Sequence, residues 1–185
     1  MGGICSMENR KILYTKKVLS ETLITLLKNK VITDISVVEV CRVADVNRTT
    51  FYKYFLDIPD LLSNIENDFM EKLRRMLESI PKNQINQSVP VTIENIFVFI
   101  KTNQFYIEVL MSEKGNVNFQ RKLIELIYRY VGISNEPSLS ESGIKYVYVI
   151  QGSLAIIQLW IKNNFDAPPQ KLASILYEMS NKILR

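Results

Sequence analysis

The chain has 185 residues, 47% of them hydrophobic and 23% charged, a composition typical of a globular protein with a buried core. It contains no histidine and two cysteines, which excludes Ser-His-Asp and Cys-His catalysis, histidine-ligated zinc and a disulfide framework. The net charge is +4, and residues 10–55 hold nine Lys or Arg against four Asp or Glu. This local excess indicates a module that binds a polyanion. A solvated basic face without a partner is the alternative.

The first segment is predicted to be a helix. Its apolar residues recur seven, four and three positions apart, at Ile12, Leu19, Leu23 and Leu26. A second, short helix is predicted to begin after Ser36, because Ser36 and Glu39 have the spacing of a capping box. Asp45 is the expected turn residue at the end of this helix, since Asp tolerates the left-handed backbone conformation better than most residues.

Asn47 is expected to cap a third helix over about residues 48–55, with Phe51 and Phe55 on its inner face. Arg and Lys can bind guanine, Thr offers a hydroxyl and a methyl group, and Tyr hydroxyls can donate to phosphates. Free N–H groups at the starts of the two short helices add anion sites. The pattern predicts a helix-turn-helix whose DNA-binding residues are Ser36, Asn47, Arg48, Thr49, Thr50, Tyr52, Lys53 and Tyr54.

The rest of the chain is also predicted to be helical, so the fold class is all-α with about nine helices. A fourth helix begins after Asp57, with Pro59 in its first turn, and ends before Pro81. The polar residues 83–88 are the expected boundary loop. Five further helices are predicted at about residues 89–101, 103–112, 117–131, 140–164 and 169–184.

The helix predicted over residues 140–164 is apolar on almost every side. Its apolar stretch is shorter than the about 20 residues of a membrane span, so we expect a buried helix and no membrane contact. Such a helix needs cover on two sides, which favours a homodimer over the alternative of a central helix in a single bundle. The predicted dimer interface comprises Tyr148, Gly152, Ala155, Leu159, Leu172, Ile175, Leu176 and Met179.

The same helices are expected to enclose an apolar pocket for a small organic effector. The predicted pocket residues are Phe97, Ile100, Phe105, Tyr106, Leu110, Phe119, Tyr128 and Trp160. Residues 89–131 hold few acids, so no metal and no cofactor are expected. Acid pairs such as Glu66 with Asp68, or Glu71 with Glu78, are interpreted as solvated helix faces, and no catalytic residue is assigned. No secretory signal is visible, which favours the cytoplasm.

Residues 44–55, Ala-Asp-Val-Asn-Arg-Thr-Thr-Phe-Tyr-Lys-Tyr-Phe, resemble the DNA-binding signature of TetR-family transcriptional regulators, and the similarity extends over about residues 12–70. The resemblance implies a DNA-binding domain over residues 8–56 and a helical regulatory and dimerisation domain over 57–185. It also implies a homodimer through the last two helices, most often a repressor of a double-stranded operator, with an effector cavity. By position, Arg48, Thr49 and Lys53 would face base edges, and Thr50, Tyr52 and Tyr54 would contact phosphates.

Two positions depart from the family pattern. Asp45 stands where the family usually has Gly, which the backbone tolerates. Ile58 stands where the family usually has a phosphate-binding Lys, so one anchoring contact is expected to be absent. These departures motivate a second hypothesis, in which the chain is an interaction protein that has kept the fold and lost specific DNA binding.

Overall fold

The computed structural model describes residues 3–79, 85–112, 118–131 and 138–185. In these ranges the chain forms nine α-helices and one short 3-10 helix, with no strand, which confirms the all-α prediction. The helices are α1 (Gly3–Leu27), α2 (Val37–Ala44), α3 (Arg48–Tyr52), α4 (Ile58–Glu78), α5 (Ile85–Thr102), α6 (Gln104–Leu110), α7 (Asn118–Val131), α8 (Glu141–Lys162) and α9 (Pro169–Leu184).

Helices α1, α2 and α3 form an N-terminal head around a compact apolar core. Leu19, Leu23 and Leu27 of α1 are fully buried, as are Val40 of α2 and Phe51 of α3. Burial of such side chains contributes about 1.5–3 kcal/mol each, which offsets the low intrinsic stability of helices this short. The packing of the head therefore holds α2 and α3 in a defined relative position.

Local hydrogen bonds set the start of α2. Ser36 Oγ accepts a hydrogen bond from the Glu39 N–H at 3.1 Å, so half of the predicted capping box is formed. The other half is not, because the Glu39 carboxylate accepts from Lys30 Nζ at 2.7 Å instead of from the cap backbone. This ion pair fixes the segment before α2 to its first turn.

Helix α3 is shorter than predicted, since it ends at Tyr52 rather than near Phe55. The cap of α4 explains the early end. Asp57 is extended, its carboxylate accepts from the Asp60 N–H at 2.8 Å, and the Asp60 carboxylate accepts from the Leu56 N–H at 2.9 Å. These reciprocal bonds draw the backbone away from the α3 axis and start α4 where the sequence predicted it.

Helix α4 joins the head to a larger body built from α5 to α9. Within the body, α5 packs most extensively against α9. Lys101 Nζ, near the end of α5, donates to the Phe165 carbonyl before α9 at 2.8 Å, whereas Val89 and Leu184 line one cavity. The two helices therefore run antiparallel. The predicted boundary loop is wrong from residue 85 onwards, because α5 begins at Ile85 and residues 83 and 84 lie outside the described residues.

Trp160 holds the corner between α8 and α9. Its indole N–H donates to the Ala167 carbonyl at 2.9 Å, and its ring contacts Phe97 and Phe165 at centroid distances of 5.4 and 5.0 Å. Asn164 and Phe165 both have left-handed backbone angles, which reverse the chain after α8. Trp160 thus stabilises the α8–α9 hairpin from inside the body.

Helix α8 is incompletely covered by its own chain. By length and composition alone it could cross a membrane, a test that core helices of other proteins also pass. Only 17% of its most apolar window is buried. Ile144, Tyr148 and Leu159 are 53%, 64% and 58% exposed. The predictions of a fully buried helix and of a central helix in a single bundle are therefore wrong, because one side of α8 has no cover in the described residues.

Candidate nucleic-acid interface and internal cavity

The turn between α2 and α3 is built by two residues with special backbone roles. Asp45 ends α2 in the left-handed conformation, with φ 52° and ψ 44°, and its N–H donates to the Cys41 carbonyl. Asn47 then begins α3, its side-chain oxygen accepting from the Thr49 N–H at 2.9 Å. Beneath the turn, burial raises the pKa of the Cys41 thiol, which packs as a small apolar group. The turn orients α3 across α2 as a helix-turn-helix requires.

The structure presents most of the predicted DNA-binding residues to solvent. Six of them are exposed: Ser36, Asn47, Arg48, Thr49, Tyr52 and Lys53. The other two, Thr50 and Tyr54, are half-buried. The side-chain oxygens of Ser36 and Asn47 each accept one capping bond, which leaves the Ser36 hydroxyl and the Asn47 amide N–H groups as donors for a phosphate. The exposed set includes both cations and hydroxyls, the groups that bind phosphates and base edges.

The cations of this surface lack acidic partners. Within the described part of the chain, Arg42, Arg48 and Lys53 form no ion pair, and Arg42 is exposed on α2. Lys53 Nζ and Lys16 Nζ lie 5.8 and 5.6 Å from the centroid of the Tyr54 ring, which places two ammonium groups beside one half-buried phenol. Sequence reasoning counted Lys16 and Arg42 in the charge excess but did not assign them to the site.

Ile58 fills the core at the position where the family pattern has a lysine. Its side chain is only 4% exposed, at the first residue of α4. Ile58 therefore stabilises the junction between head and body. It does not supply a phosphate contact, as we expected from the sequence. Asp45, the other departure, occupies the left-handed position without displacing α3.

The body contains a partly open apolar cavity of about 360 Å³ bounded by α4 to α9. Its walls are mostly aliphatic, and among the described lining residues none is charged. Of the predicted pocket residues, Phe97 and Ile100 line this cavity. The six others do not: Phe105, Tyr106, Leu110, Phe119, Tyr128 and Trp160.

Most of these six residues pack between helices away from the cavity. Phe119 packs its ring against Phe69 at 5.8 Å, and Leu110 is fully buried. Phe105 lies under Lys28 Nζ, 4.9 Å from its centroid, and Lys28 also pairs with Glu108, which joins α1 to α6. Burial, with a smaller effect of the Glu21 charge, raises the pKa of Tyr106 at the same junction. These aromatic rings thus fill space between helices, whereas the cavity walls are mostly aliphatic.

Glu66 is a buried carboxylate that the sequence did not reveal. We expected a solvated helix face, but the side chain is 0% exposed and bonds through one oxygen to Lys122 Nζ at 2.7 Å. The other oxygen has no hydrogen-bond partner among the residues that the structure describes. Lys122 itself is 32% exposed. The pair ties α4 to α7 one turn from Phe69, which lines the cavity.

Glu71 and Glu78, by contrast, lie on an exposed face as expected. Both carboxylates accept hydrogen bonds from Arg74, and Glu71 also accepts from Arg75. These hydrogen bonds lower the pKa of Glu71 to about 2. The cations at this end of α4 are therefore neutralised, unlike those of α2 and α3.

An exposed apolar stripe runs along the outer side of α8 and α9. It contains most of the predicted interface residues: Tyr148, Gly152, Ala155, Leu159, Ile175 and Met179. Leu172 is half-buried, and Leu176 is only 6% exposed and lines the cavity, so these two face the body instead. A Cβ atom added at Gly152 would meet no atom within 4 Å.

A sequence comparison identifies the C-terminal part of the chain. A family model for TetR-type proteins, described as "Transcriptional regulator C-terminal region", matches residues 87–182, more than half of the chain. The chain belongs to the TetR family of transcriptional regulators. Membership confirms the resemblance inferred from residues 44–55, and it does so with a different part of the chain.

Two solved structures share the fold of this TetR-family regulator. One is the dihydroxyacetone kinase operon activator DhaS, 15% identical, with a TM-score of 0.55 over 93% of this chain and 97% of that chain. The other is the fatty acid degradation regulator FadR from Bacillus halodurans, 12% identical, with a TM-score of 0.59 over 90% of this chain and 94% of that chain. No curated protein matches the regulator by sequence.

Proposed function

We propose that the regulator is a cytoplasmic, sequence-specific DNA-binding repressor that acts as a homodimer and is released from its operator by a small organic effector. Residues 8–56 are the DNA-binding domain and residues 57–185 the regulatory and dimerisation domain. The observation that carries the proposal is the surface of α2 and α3, where exposed cations and hydroxyls lie without acidic partners in the described chain.

Helix α3 is the element that would enter the major groove. Arg48 and Thr49 lie in its first turn and Lys53 just after its end, so they reach base edges. Thr50, Tyr52 and Tyr54 contact the flanking phosphates, with Lys16 and Arg42 adding charge. Each phosphate that such a surface neutralises releases counterions, so binding should weaken steeply as salt rises.

The exposed stripe of α8 and α9 would be covered by a second copy of the chain. Its residues on α8 recur four, three and four positions apart and those on α9 four apart, so each set lies on one exposed helix face, as a dimer interface requires. Two heads related by a twofold axis bind a palindromic site. Its half-sites lie one or more helical turns of DNA apart, and each turn is about 34 Å long. A homodimer therefore predicts an inverted-repeat operator.

The internal cavity is the proposed effector site. Phe69 and Leu73 of α4 form part of its wall, and the same helix begins at the head. A ligand that fits the cavity in only one position of α4 would favour one spacing of the two heads. The affinity for an operator with fixed half-site spacing would then fall.

A selection from randomised duplexes followed by gel shift at several salt concentrations tests DNA binding. We expect a palindromic consensus whose binding weakens as salt rises. Tyr52→Phe should weaken binding to all duplexes alike, whereas Lys53→Ala should change which sequences are preferred. Arg129→Ala, an exposed cation on α7, is the matched control and should bind as the parent does.

Two results would contradict the proposal. If no duplex is bound specifically even at low salt, the regulator is an interaction protein, the function that Ile58 first suggested. If both α3 variants bind every duplex like the parent, α3 is not the reading helix. A reporter gene behind the selected operator then decides between repression and activation, with lowered expression expected.

A further inference from the structure

The shape of the internal cavity restricts what it can hold. On α5 its lining extends from Val89 to Ile100, which are eleven positions apart, or about 16 Å along a helix with a rise of 1.5 Å per residue. Ile107 and Met111 close the end nearest the head, and Leu184 lies at the opposite end. Its lining residues on α5 thus extend over most of the helix, so the cavity is elongated along α5.

Polar groups concentrate at the end far from the head. Tyr177, Ser180 and Asn181 come from the last turns of α9, and Tyr146 comes from the first turns of α8. Ser153 is the one other lining residue in the described chain with a polar side chain. The head-proximal end is wholly apolar. The cavity thus has one apolar end and one end with hydroxyl and amide groups.

A surface recess adjoins the polar end. Tyr146 and Leu184 line both the cavity and this recess. Its described wall also contains Glu141 and Lys145, which pair with each other at 2.8 Å. Because the two charges offset one another, the recess offers hydrogen bonds but little net charge, and it provides a polar surface next to the cavity.

The described lining offers no charged partner to an ionic group inside the cavity. A buried carboxylate or phosphate needs a cation or several hydrogen-bond donors, and without them it loses far more hydration energy than it gains. The described lining supplies no cation. A hydroxyl, ester or amide, by contrast, can be satisfied by Ser180 and Asn181 alone.

We propose that the cavity binds a single-chain amphiphile, with an unbranched hydrocarbon tail along α5 and an uncharged polar head between Ser180 and Asn181. The tail occupies the head-proximal apolar end, and the polar head lies next to the recess. That this ligand also releases DNA rests on the proposed function; that it binds does not.

Calorimetry of the full chain with dodecan-1-ol, dodecanoate and the glycerol monoester of dodecanoic acid tests the proposal. The alcohol and the monoester should bind, one per chain. Dodecanoate at pH 8 should bind at least about tenfold more weakly, because its charge finds no partner. Equal or tighter binding of dodecanoate overturns the proposal, as does the absence of binding for both uncharged probes across a series of chain lengths.

Variants at the polar end separate a binding site from a general apolar surface. Ser180→Ala together with Asn181→Leu should lower the affinity for dodecan-1-ol by roughly tenfold, since one or two hydrogen bonds to the ligand are lost. Affinity for an alkane of the same length should not fall. Ser174→Ala, on the exposed side of α9, is the control and should leave both affinities unchanged. Equal loss for alcohol and alkane, or no loss for either, contradicts the assigned orientation.

DNA release is measured separately, so the two proposals can fail independently. If the alcohol binds but the protein–operator complex is unaffected, the assigned ligand class stands and effector control by this cavity is wrong. If the protein binds no DNA, calorimetry still tests the ligand. Mass spectrometry of ligand that co-purifies with the native protein adds a direct check, and an acidic lipid in the cavity would overturn the ligand class.

Discussion

The head and the body of this regulator are stabilised in different ways. In the head, short helices are bounded by hydrogen bonds that span two to four residues, such as Ser36 to Glu39 and Asn47 to Thr49. In the body, the decisive contacts span the chain, such as Lys101 to Phe165 and Glu66 to Lys122. Local signals therefore describe the head well, whereas the body depends on which helices meet.

Ion pairing differs between the surface of α2 and α3 and three cations of later helices. The cations of α2 and α3 lack acidic partners in the described chain, while Arg74, Arg121 and Lys145 each pair with a glutamate three or four residues away. Exposed pairs of this kind contribute little stability, on the order of 0.3–0.5 kcal/mol. Their absence from the α2–α3 surface costs the fold little and leaves its charge available to a polyanion.

The largest effect is expected for a variant that breaks the Glu66–Lys122 ion pair between α4 and α7. Lys122→Leu leaves the fully buried Glu66 carboxylate without its partner. Unfolding in urea should show a loss of about 3 kcal/mol, the lower end for a broken buried pair because Lys122 is partly exposed. Replacing both residues, with Glu66→Leu added, should recover most of that loss.

Arg121→Leu is the matched control for this prediction. Arg121 is adjacent in sequence, and in the described chain its partners Glu125 and Asn118 both lie on its own helix, with 63% of its side chain exposed. Its replacement should change stability by less than about 0.5 kcal/mol. Similar losses at residues 121 and 122 would show that the buried pair does not stabilise the body.

A smaller effect on folding, but a decisive one on assembly, is expected for Gly152→Arg. The new side chain finds open space in the single chain, so the monomer should fold. At a dimer interface it would keep α8 of two copies apart, and the dimer should weaken by at least about thirtyfold, the 2 kcal/mol of an interface hot spot. Sedimentation equilibrium measures the change.

Asn95→Arg serves as the control for Gly152→Arg, because it places the same side chain on the exposed side of α5. Its assembly should match that of the parent. If the Gly152→Arg protein remains as dimeric as the parent, the exposed stripe of α8 and α9 is not the dimer interface.

The smallest effect is expected at the turn of the head. Asp45 has a φ of 52°, a region that Gly enters without steric cost. Asp45→Gly should therefore raise the free energy of unfolding by less than about 1 kcal/mol and leave α3 in place. Thermal unfolding checks this, with Asp45→Ala as the opposite control. A destabilised glycine variant would mean that the aspartate side chain supports the turn.

The difference between short-range and long-range contacts also explains which helix boundaries could be predicted from the sequence. The start of α4 at Asp57 and the turn at Asp45 follow from residue types within a few positions. The end of α3 was missed because it depends on the Leu56–Asp60 bond that belongs to the next helix. The start of α5 was missed because residues 85–88, its first turn, are mostly polar and carry no strong helix signal.

In the two candidate sites, single residues show how much of each site could be predicted from the sequence. The residue types and exposed positions of α3 could be predicted, because a short capped helix has few possible faces. The cavity lining could not, since Phe105 and Trp160 are as apolar as Ile93 or Ile157, and only packing decides which of them face the void.

By itself, the amino-acid sequence determined the all-helical class, the helix-turn-helix and its capped boundaries, and the location of the positive charge. These features depend on periodicity and on hydrogen bonds between near neighbours, which any sequence displays directly. Only the tertiary structure decided that Glu66 is buried, that Leu176 faces a cavity and that one side of α8 is uncovered. Burial depends on which distant helices pack together, and residue spacing along one helix does not encode its neighbours.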